Sequence, residues 1–190
     1  MPWAKRGVFV LQTVELAILD WIQNTLRCDF LDALVPMITK LNDNGEVWIL
    51  LAVVLVCMKK YRRAGLSVGA GLGLNLLVCN QIMKPLFGRI RPFMVNTAVE
   101  LLVKAPSSGA FPSGHTASSF AVVGALWAAK SPLWKPAAVL ASLIALSRLY
   151  LYVHWPTDIL GGIVVGWVCG VLAAKVVAAA ADALRRKKEH

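Results

Sequence analysis

Long apolar runs constrain the fold of this chain more than any other feature of its sequence. A helix needs about 20 mostly apolar residues to cross a bilayer, with roughly 17 to 25 acceptable. Ala64–Met83 and Ile159–Leu184 reach that length, and Val47–Met58, His115–Ala129 and Trp134–Tyr152 reach it with flanking residues. The apolar share of 58% exceeds the roughly 45–50% of ordinary soluble domains. We therefore predict an all-α fold, a helical membrane bundle that forms a single domain over residues 1–190.

The N-terminal part, residues 8–41, is the weakest span candidate. Val8–Leu26 is apolar but contains Glu15 and Asp20, and such an amphipathic helix can lie in the membrane interface instead of crossing. Phe30–Leu41 follows and ends at a strong turn signal, Asn42–Gly45. We predict six spans, with five spans and an interfacial N-terminal helix as the alternative. We predict that residues 8–41 are a span, an interfacial hairpin or part of an entrance to the interior, and that residues 44–184 form the helical core.

Glycines recur at helical spacing within two of the apolar runs. Small residues let membrane helices approach each other closely, so we predict close helix contacts at these positions. They are Gly69, Gly71, Gly73, Gly161, Gly162, Gly166 and Gly170.

The basic residues predict an orientation. Basic groups follow or separate the apolar runs at Lys59–Arg63, Lys130–Lys135 and Arg185–Lys188, and cytoplasmic loops carry an excess of Lys and Arg. With six spans and both termini inside, these groups lie in the cytoplasm. The long loop Lys84–Gly114 and the turn near His154 then share the extracytoplasmic face of a multi-pass protein in the cell membrane.

The net charge of +10 does not indicate nucleic-acid binding, because the basic residues fall between apolar runs and form no aromatic-interleaved stripe. No C-x-x-C spacing suggests zinc or redox chemistry, and the third histidine, His190, stands alone at the tail. Asp29, Asp32 and Asp43 are scattered, and we interpret them as solvated loop carboxylates. The sequence thus predicts no metal site and no cofactor, and it does not indicate an oligomeric state.

Polar runs interrupt the apolar sequence at a few places, and one contains Arg148, His154 and Asp158. If the last helix begins near Pro156, then Asp158 lies in its first turn, where the helix dipole favours a carboxylate. A carboxylate that accepts from one imidazole nitrogen fixes the tautomer and leaves the other nitrogen free to attack. An arginine within an apolar run costs roughly 2.5–3.5 kcal/mol on insertion scales, so Arg148 needs a partner or a function.

A second run, Pro112–His115, precedes an apolar segment and predicts a helix start with Ser113 or Thr116 as its N-cap. Backbone N–H groups at such a start can bind phosphate, and Gly114 allows close approach. His115 would be held at the same place, able to donate a proton to a departing oxygen.

A third run supplies Lys84 and Arg91, whose side chains suit phosphate oxygens. For Arg89, between them, we favour a topological or interfacial role.

Taken together, these runs read K-x6-R-P at Lys84–Pro92, P-S-G-H at Pro112–His115, and S-R-x5-H-x3-D from Ser147 to Asp158. The pattern resembles the signature of the type 2 phosphatidic acid phosphatase family of membrane lipid phosphatases, over the chain from about Ala64 to the last span.

The resemblance implies a role for each matching residue. His154 would be the nucleophile that forms a phosphohistidine, oriented by Asp158, and His115 would protonate the leaving group and then activate water. The phosphate oxygens would be bound by five residues: Lys84, Arg91, Ser113, Gly114 and Arg148. This scheme requires no metal.

The function that the resemblance implies is removal of the terminal phosphate from a lipid phosphate or diphosphate. Undecaprenyl diphosphate is the first choice, as outward-facing chemistry suits cell-wall lipid recycling, and phosphatidylglycerol phosphate or phosphatidic acid is the alternative. Two other functions stay open: phosphotransfer to a lipid or sugar hydroxyl, and non-catalytic binding or transport of a lipid phosphate. A binder would not need His115 as an acid or His154 paired with Asp158.

Overall fold

The computed structural model describes residues 2–187 and is helical, with no strand in that range. His190 and the last lysine of the basic tail, Lys188, lie outside the described residues. The all-α prediction is confirmed, and every apolar run forms a helix. The helices are α1 (Pro2–Leu26), α2 (Asp29–Lys40), α3 (Glu46–Cys57), α4 (Arg62–Asn75), a π-helix (Leu76–Met83) continuing α4, α5 (Lys84–Phe87), α6 (Pro92–Val95), α7 (Gly114–Ala128), α8 (Trp134–Tyr150) and α9 (Pro156–Arg186).

Among residues 2–187, two helical segments are long and apolar enough to cross a membrane, namely Arg62–Val95 and Pro156–Arg186. Glu46–Cys57 is apolar but shorter. The number of spans and the assignment of residues 8–41 and 44–184 to one membrane domain therefore stay predictions.

The outer face of α9 is apolar although it is exposed. Large apolar side chains recur there at every fourth position, which places them on one side of the helix. Their exposed fractions lie between 47% and 68%, and they are Leu160, Val164, Val168, Leu172 and Val176. Such a continuous exposed apolar face is typical of a helix that faces lipid.

The inner face of α9 packs against α7 through glycines. A Cβ atom on Gly166 would collide with the carbonyl oxygen of Ala117, and one on Gly170 would collide with that of Ala121. The small-residue prediction is confirmed there and at Gly71, where a Cβ would lie 3.3 Å from the Cα of Gly170. The same holds at Gly162, 2.9 Å from the carbonyl oxygen of Ser113.

The packing prediction is wrong for Gly69 and Gly73. Neither has an atom of another helix within 4 Å of the place where a Cβ would stand. These two glycines lie on the side of α4 that no neighbouring helix covers, so their spacing carried no packing information.

Three polar residues of α1, Glu15, Asp20 and Gln23, face the protein. Glu15 is buried and receives a hydrogen bond from the hydroxyl of Thr157, with 2.6 Å between the oxygens. Farther along the helix, Asp20 accepts from the phenol of Tyr152 at 2.5 Å, and Gln23 donates to the carbonyl oxygen of Tyr150 at 2.7 Å. Contacts with the α8–α9 region thus account for the amphipathic pattern that suggested an interfacial helix.

The connection Lys84–Gly114 is folded against the rest of the molecule. It contains the short helices α5 and α6. Phe93 and Leu101 pack beside the turn between α8 and α9, next to the buried side chains of Tyr152 and Val153. This packing brings the basic residues of the connection to the turn that carries His154.

Candidate active site

A pocket of about 1150 Å³ lies where the start of α7, the end of α8 and the folded connection meet. Six of the eight predicted site residues line it: Lys84, Arg91, Gly114, His115, Arg148 and His154. A seventh, Asp158, contacts His154 from behind. The motif residues, which are up to 74 positions apart in sequence, are therefore gathered at one place.

His154 and Asp158 form a buried pair. The carboxylate oxygen Oδ2 of Asp158 lies 3.3 Å from Nδ1 of His154, and it also accepts from the backbone N–H of Trp155 at 2.9 Å. Asp158 occupies the third position of α9, as the sequence predicted, because Trp155 is the N-cap. With Nδ1–H donating to the carboxylate, the other ring nitrogen, Nε2, keeps its lone pair.

The Nε2 atom of His154 faces a cation. Nη1 of Arg91 lies 3.2 Å away and also donates to the carbonyl oxygen of Val153 at 2.7 Å. Burial, followed by the charges of Arg91, Arg148 and Lys84, holds the pKa of His154 well below its usual value of 6.5. The imidazole is therefore neutral at physiological pH, which is the form that can act as a nucleophile.

Ser113 was expected to bind phosphate oxygens, but it lies outside the pocket lining. Its side chain is fully buried and does not line the pocket. Its hydroxyl accepts from the backbone N–H and the hydroxyl of Thr116, at 3.5 and 3.0 Å, and so caps α7. Ser113 is thus the N-cap that the sequence allowed. Gly114, the first residue of α7, brings the unpaired N–H groups of the helix start to the pocket.

His115 has a partner that the sequence did not reveal. Its Nε2 lies 3.1 Å from Oδ1 of Asp43, in the turn between α2 and α3. The adjacent Asn42 fixes that turn to α7 by donating to the carbonyl oxygen of His115 at 2.9 Å and to the hydroxyl of Ser118 at 2.8 Å. Asp43 is a half-exposed loop carboxylate, as predicted, but nothing in the sequence indicated that it pairs with a residue of the pocket.

The cations keep donors available toward the pocket. Arg148 is buried and donates from Nη1 to the hydroxyl of Thr39, whereas its Nε has no partner among the described residues. Lys84 makes one long contact, 3.4 Å from Nζ to the hydroxyl of Ser108. Arg91 is held more firmly, since its Nε donates to the carbonyl oxygen of Ser108 at 2.9 Å. The partner that Arg148 was expected to need is Thr39.

Arg89 links the buried pair to the N-terminal helix. Its Nη1 donates to Oδ1 of Asp158 at 2.7 Å, and its Nη2 donates to Oε2 of Glu15 at 2.5 Å. Glu15 also accepts from the backbone N–H of Thr157 at 2.9 Å. The topological or interfacial role favoured for Arg89 is therefore wrong. The two terminal nitrogens of its guanidinium group are fixed between two buried carboxylates.

Sequence reasoning missed Arg89, Glu15, Asp43 and Thr39, and only one of them left a signal. Glu15 stands within the apolar run Val8–Leu26, and a carboxylate there is unfavourable without a partner. The same argument pointed to Arg148 and would have pointed to Glu15.

Asp32 contradicts the solvated-carboxylate interpretation. It accepts from the phenol of Tyr150 at 2.6 Å and from Nε of Arg27 at 3.1 Å, and so joins α2 to α8 away from the pocket. Within residues 2–187, no three His, Cys, Asp or Glu side chains are grouped as a metal site would require.

Comparison with known proteins gives one consistent result. A model of the PAP2 superfamily matches residues 64–182. The chain is 29% identical over 124 residues to an undecaprenyl-diphosphatase of Sulfolobus acidocaldarius, covering 64% of this chain and 60% of that protein. It is 30% identical to the undecaprenyl-diphosphatase BcrC of Bacillus subtilis, covering 75% of this chain and 72% of that one. The first match thus spans about three fifths of the relative's own length.

A solved structure shares the fold. The PAP2-type phosphatidylglycerolphosphate phosphatase of Bacillus subtilis superposes with a TM-score of 0.72 at 27% identity. The superposition covers 88% of this chain and 86% of the other.

Proposed function

The chain belongs to the PAP2 superfamily, as its motifs predicted, and on that premise we propose that it is an integral-membrane lipid phosphatase. Its reaction is hydrolysis of the terminal phosphate of a lipid phosphate or diphosphate. Undecaprenyl diphosphate is the first candidate substrate, supported by relatives named for that activity. A phosphatidylglycerophosphatase relative and structural neighbour support phosphatidylglycerol phosphate as the alternative.

One observation carries the proposal. A neutral, buried imidazole, His154, points its free nitrogen into a pocket lined by Lys84, Arg91 and Arg148. A pocket that only binds phosphate needs the cations, but it does not need a nitrogen lone pair prepared by a buried carboxylate. This arrangement favours covalent catalysis over binding or transport.

The first step is transfer of the phosphoryl group to the enzyme. Nε2 of His154 attacks phosphorus, the bond to the leaving oxygen breaks, and His115 donates a proton to that oxygen. Arg91 releases Nε2 and binds phosphate oxygens instead. Lys84, Arg148 and the N–H groups at Gly114 stabilise the charge that develops on the phosphoryl oxygens. Asp158 stabilises the positive ring of the phosphohistidine.

The second step is hydrolysis of the phosphohistidine. His115, now neutral, removes a proton from water, and the resulting oxygen attacks phosphorus while the bond to Nε2 of His154 breaks. Inorganic phosphate leaves, His154 returns to its neutral form, and His115 is protonated again. Asp43, 3.1 Å from Nε2 of His115, stabilises the protonated ring, so the other ring nitrogen exchanges the proton.

The same pocket could use a hydroxyl group in place of water, which would make the enzyme a phosphotransferase. The two reactions share the phosphohistidine and differ only in the acceptor. Product analysis distinguishes them, because hydrolysis releases inorganic phosphate in the amount of lipid consumed, whereas transfer does not.

We further propose that the protein is multi-pass in the cell membrane, with the pocket on the extracytoplasmic face. A background without Cys28, Cys57, Cys79 and Cys169 is needed, because two of these are exposed. In that background, Thr97→Cys should react with an impermeant thiol reagent added to intact cells, and Tyr61→Cys should react only after lysis. The reverse labelling pattern would overturn this orientation.

The direct test of the function is phosphate release by the purified protein in detergent. The substrates are undecaprenyl diphosphate, phosphatidylglycerol phosphate and phosphatidic acid, and the variants are His154→Ala and, as a folding control, Asp29→Asn. We expect release by the wild-type protein and the control, none above background by His154→Ala, and no effect of a chelator. Release that persists in His154→Ala would exclude the phosphohistidine.

A further inference from the structure

The pocket wall formed by α4 and the π-helix carries two asparagines that the proposed reaction does not use. Asn75 and Asn80 both line the pocket, and Asn75 is only 3% exposed. The side-chain oxygens of both are buried without a hydrogen-bond partner among the described residues. Most buried polar groups in proteins are hydrogen-bonded, so two unpaired amide oxygens in one pocket wall indicate a polar ligand.

The π-helix explains why both amides face the same way. In an α-helix, five residues make about 1.4 turns, so residues five apart point to different sides. A π-helix, with i→i+5 hydrogen bonds, has more residues per turn, so residues five apart lie closer to the same side of it. Leu76–Met83 is π-helical, and Asn75, Asn80 and Lys84 accordingly all line the pocket. Such segments are rare and frequently occur at functional sites.

The two amides lie next to the proposed phosphate-binding groups. A Cβ atom on Gly114 would stand 3.1 Å from Nζ of Lys84 and 3.4 Å from Oδ1 of Asn80. Asn80 therefore borders the position of the reacting phosphate. Asn75 lies one π-turn farther along the wall, beside Leu72 and Leu76, which also line the pocket. The amides thus separate the cations from the apolar part of the pocket.

We infer that Asn75 and Asn80 bind the inner phosphate of a lipid diphosphate while the outer phosphate lies against Lys84, Arg91 and Arg148. This inference rests on the proposed function, since it names the class of substrate that the same pocket selects. The inner phosphate is the leaving group of the reaction. The amides therefore also stabilise the charge that develops on it as the bond to the outer phosphorus breaks.

The chemistry of the two amides favours a diphosphate over the other candidate lipids. A side-chain amide can turn to present either its oxygen or its N–H groups, and hydrogen bonds to charged oxygens are roughly twice as strong as those to neutral ones. A prenyl monophosphate would place hydrocarbon against Asn75 and leave it unpaired. Phosphatidic acid would place neutral ester oxygens there. Phosphatidylglycerol phosphate carries a charged phosphodiester, but a glycerol separates it from the reacting phosphate. The diphosphate is the candidate in which a charged phosphate lies directly beside the reacting one.

The first test compares substrates in Asn75→Leu, a change that keeps the number and branching of the side-chain heavy atoms. We measure kcat/KM for a prenyl diphosphate, the corresponding prenyl monophosphate and phosphatidic acid. The ratio of the diphosphate value to the monophosphate value should fall roughly tenfold or more, the size expected for a lost hydrogen bond to a charged group. Asn80→Leu should change the ratio in the same direction. An unchanged ratio, an equal loss on all three lipids, or a loss confined to phosphatidic acid would overturn the inference.

The second test uses stability, which distinguishes a ligand-binding asparagine from a structural one. Asn75→Leu removes an unpaired buried polar group, so its melting temperature should equal or exceed that of the wild type. Asn42→Leu is the matched control, because that buried asparagine donates to His115 and Ser118, and its loss should lower the melting temperature. A drop in Asn75→Leu as large as that in Asn42→Leu would assign Asn75 a structural role and overturn the inference.

A binding measurement separates failure of the subsite from failure of the proposed function. The probes are inorganic diphosphate and inorganic phosphate, titrated into the full-length protein by calorimetry. Wild type should bind diphosphate more tightly than phosphate, and Asn75→Leu should lose most of that difference. This result is independent of turnover, so it would support the subsite even if no lipid were hydrolysed. Equal binding of the two ions by the wild type would overturn the subsite whatever the activity.

Discussion

Two histidine–carboxylate pairs face the same pocket, and they differ in how they are held. His154 and Asp158 are 2% and 0% exposed, and Arg89, Trp155 and the start of α9 fix the carboxylate. His115 and Asp43 are 18% and 52% exposed, and Asp43 is presented by a turn at the pocket rim. The difference matches two chemical tasks. A nucleophile needs one tautomer in one position, whereas a proton carrier must change its charge within each turnover.

The buried pair, His154 and Asp158, is held rigidly because both oxygens of the carboxylate accept hydrogen bonds, and these are stronger away from water. Each oxygen of Asp158 has donors, Arg89 on one side and Trp155 with His154 on the other. Removal of one partner would leave a buried charge uncompensated, which is strongly destabilising. The pair of His115 and Asp43, the open pair, is weaker. Solvent screens the attraction between its partly exposed charges. We therefore expect substitutions in the buried pair to have the larger effects.

The largest of these effects is expected for Asp158→Asn. The asparagine can donate a hydrogen bond to Nδ1, so the proton of the ring moves to Nε2 and blocks the attack. In a serine protease the equivalent change lowers kcat by about ten thousandfold, and we expect a loss of roughly a thousandfold or more here. Steady-state phosphate release measures it. Asp182→Asn, a change in the distal half of α9, is the control, and an Asp158→Asn loss below tenfold would contradict the tautomer argument.

Substitution of His115 by alanine should reduce turnover less, and in a manner that depends on the substrate. General acid–base catalysis contributes about 10²–10⁴-fold, and a good leaving group does not need the acid in the first step. We therefore expect a loss of roughly 10²–10³-fold on a lipid phosphate and a much smaller loss in the first-step burst with p-nitrophenyl phosphate. An equal loss on both substrates in the burst would show that His115 is not the acid.

Arg89→Lys tests how the buried pair is fixed. A lysine keeps the charge but cannot reach Asp158 and Glu15 with two forked donors. We expect turnover to fall roughly tenfold and the melting temperature to fall with it, whereas Arg63→Lys should change neither. A topological role for Arg89 makes the opposite prediction, since lysine would serve equally well.

Asp43→Asn should have the smallest effect of the series. Partly exposed ion pairs are typically worth about 0.2–1 kcal/mol, which corresponds to a loss of kcat between roughly 1.4-fold and fivefold. The loss should be larger on a lipid phosphate than on p-nitrophenyl phosphate, because only the former needs the protonated His115. Asp29→Asn serves as the control. A loss as large as that of Asp158→Asn would contradict the different chemical roles assigned to the two histidine–carboxylate pairs.

The sequence predicted the parts of the site that depend on local structure. The start of α9 at Pro156 puts Asp158 in the first turn within reach of His154, and Ser113 caps α7 just before His115. These arrangements follow from spacing and capping rules that act over a few residues. The family resemblance then brought the separate runs to one pocket.

The parts that escaped prediction depend on which distant helices come together. Asp43 meets His115 across 72 positions, and Glu15 meets Arg89 across 74. No local rule distinguishes Arg89 from Arg91, because both are basic residues of the same run. They have different partners only because α1 packs against the connection Lys84–Gly114. Gly69 and Gly73 show the same limit, because spacing alone does not tell which side of a helix is covered.

The most direct test of the central claim is rapid quenching with an aryl phosphate, a substrate with a good leaving group, labelled at the phosphorus that is transferred. The claim is that the buried pair makes the bond to phosphorus and the open pair moves the proton. His115→Ala, given a labelled substrate with a good leaving group, should accumulate label on the protein at His154, and His154→Ala should accumulate none. Label at His115, or the same labelling in both variants, would contradict the assignment of the two pairs.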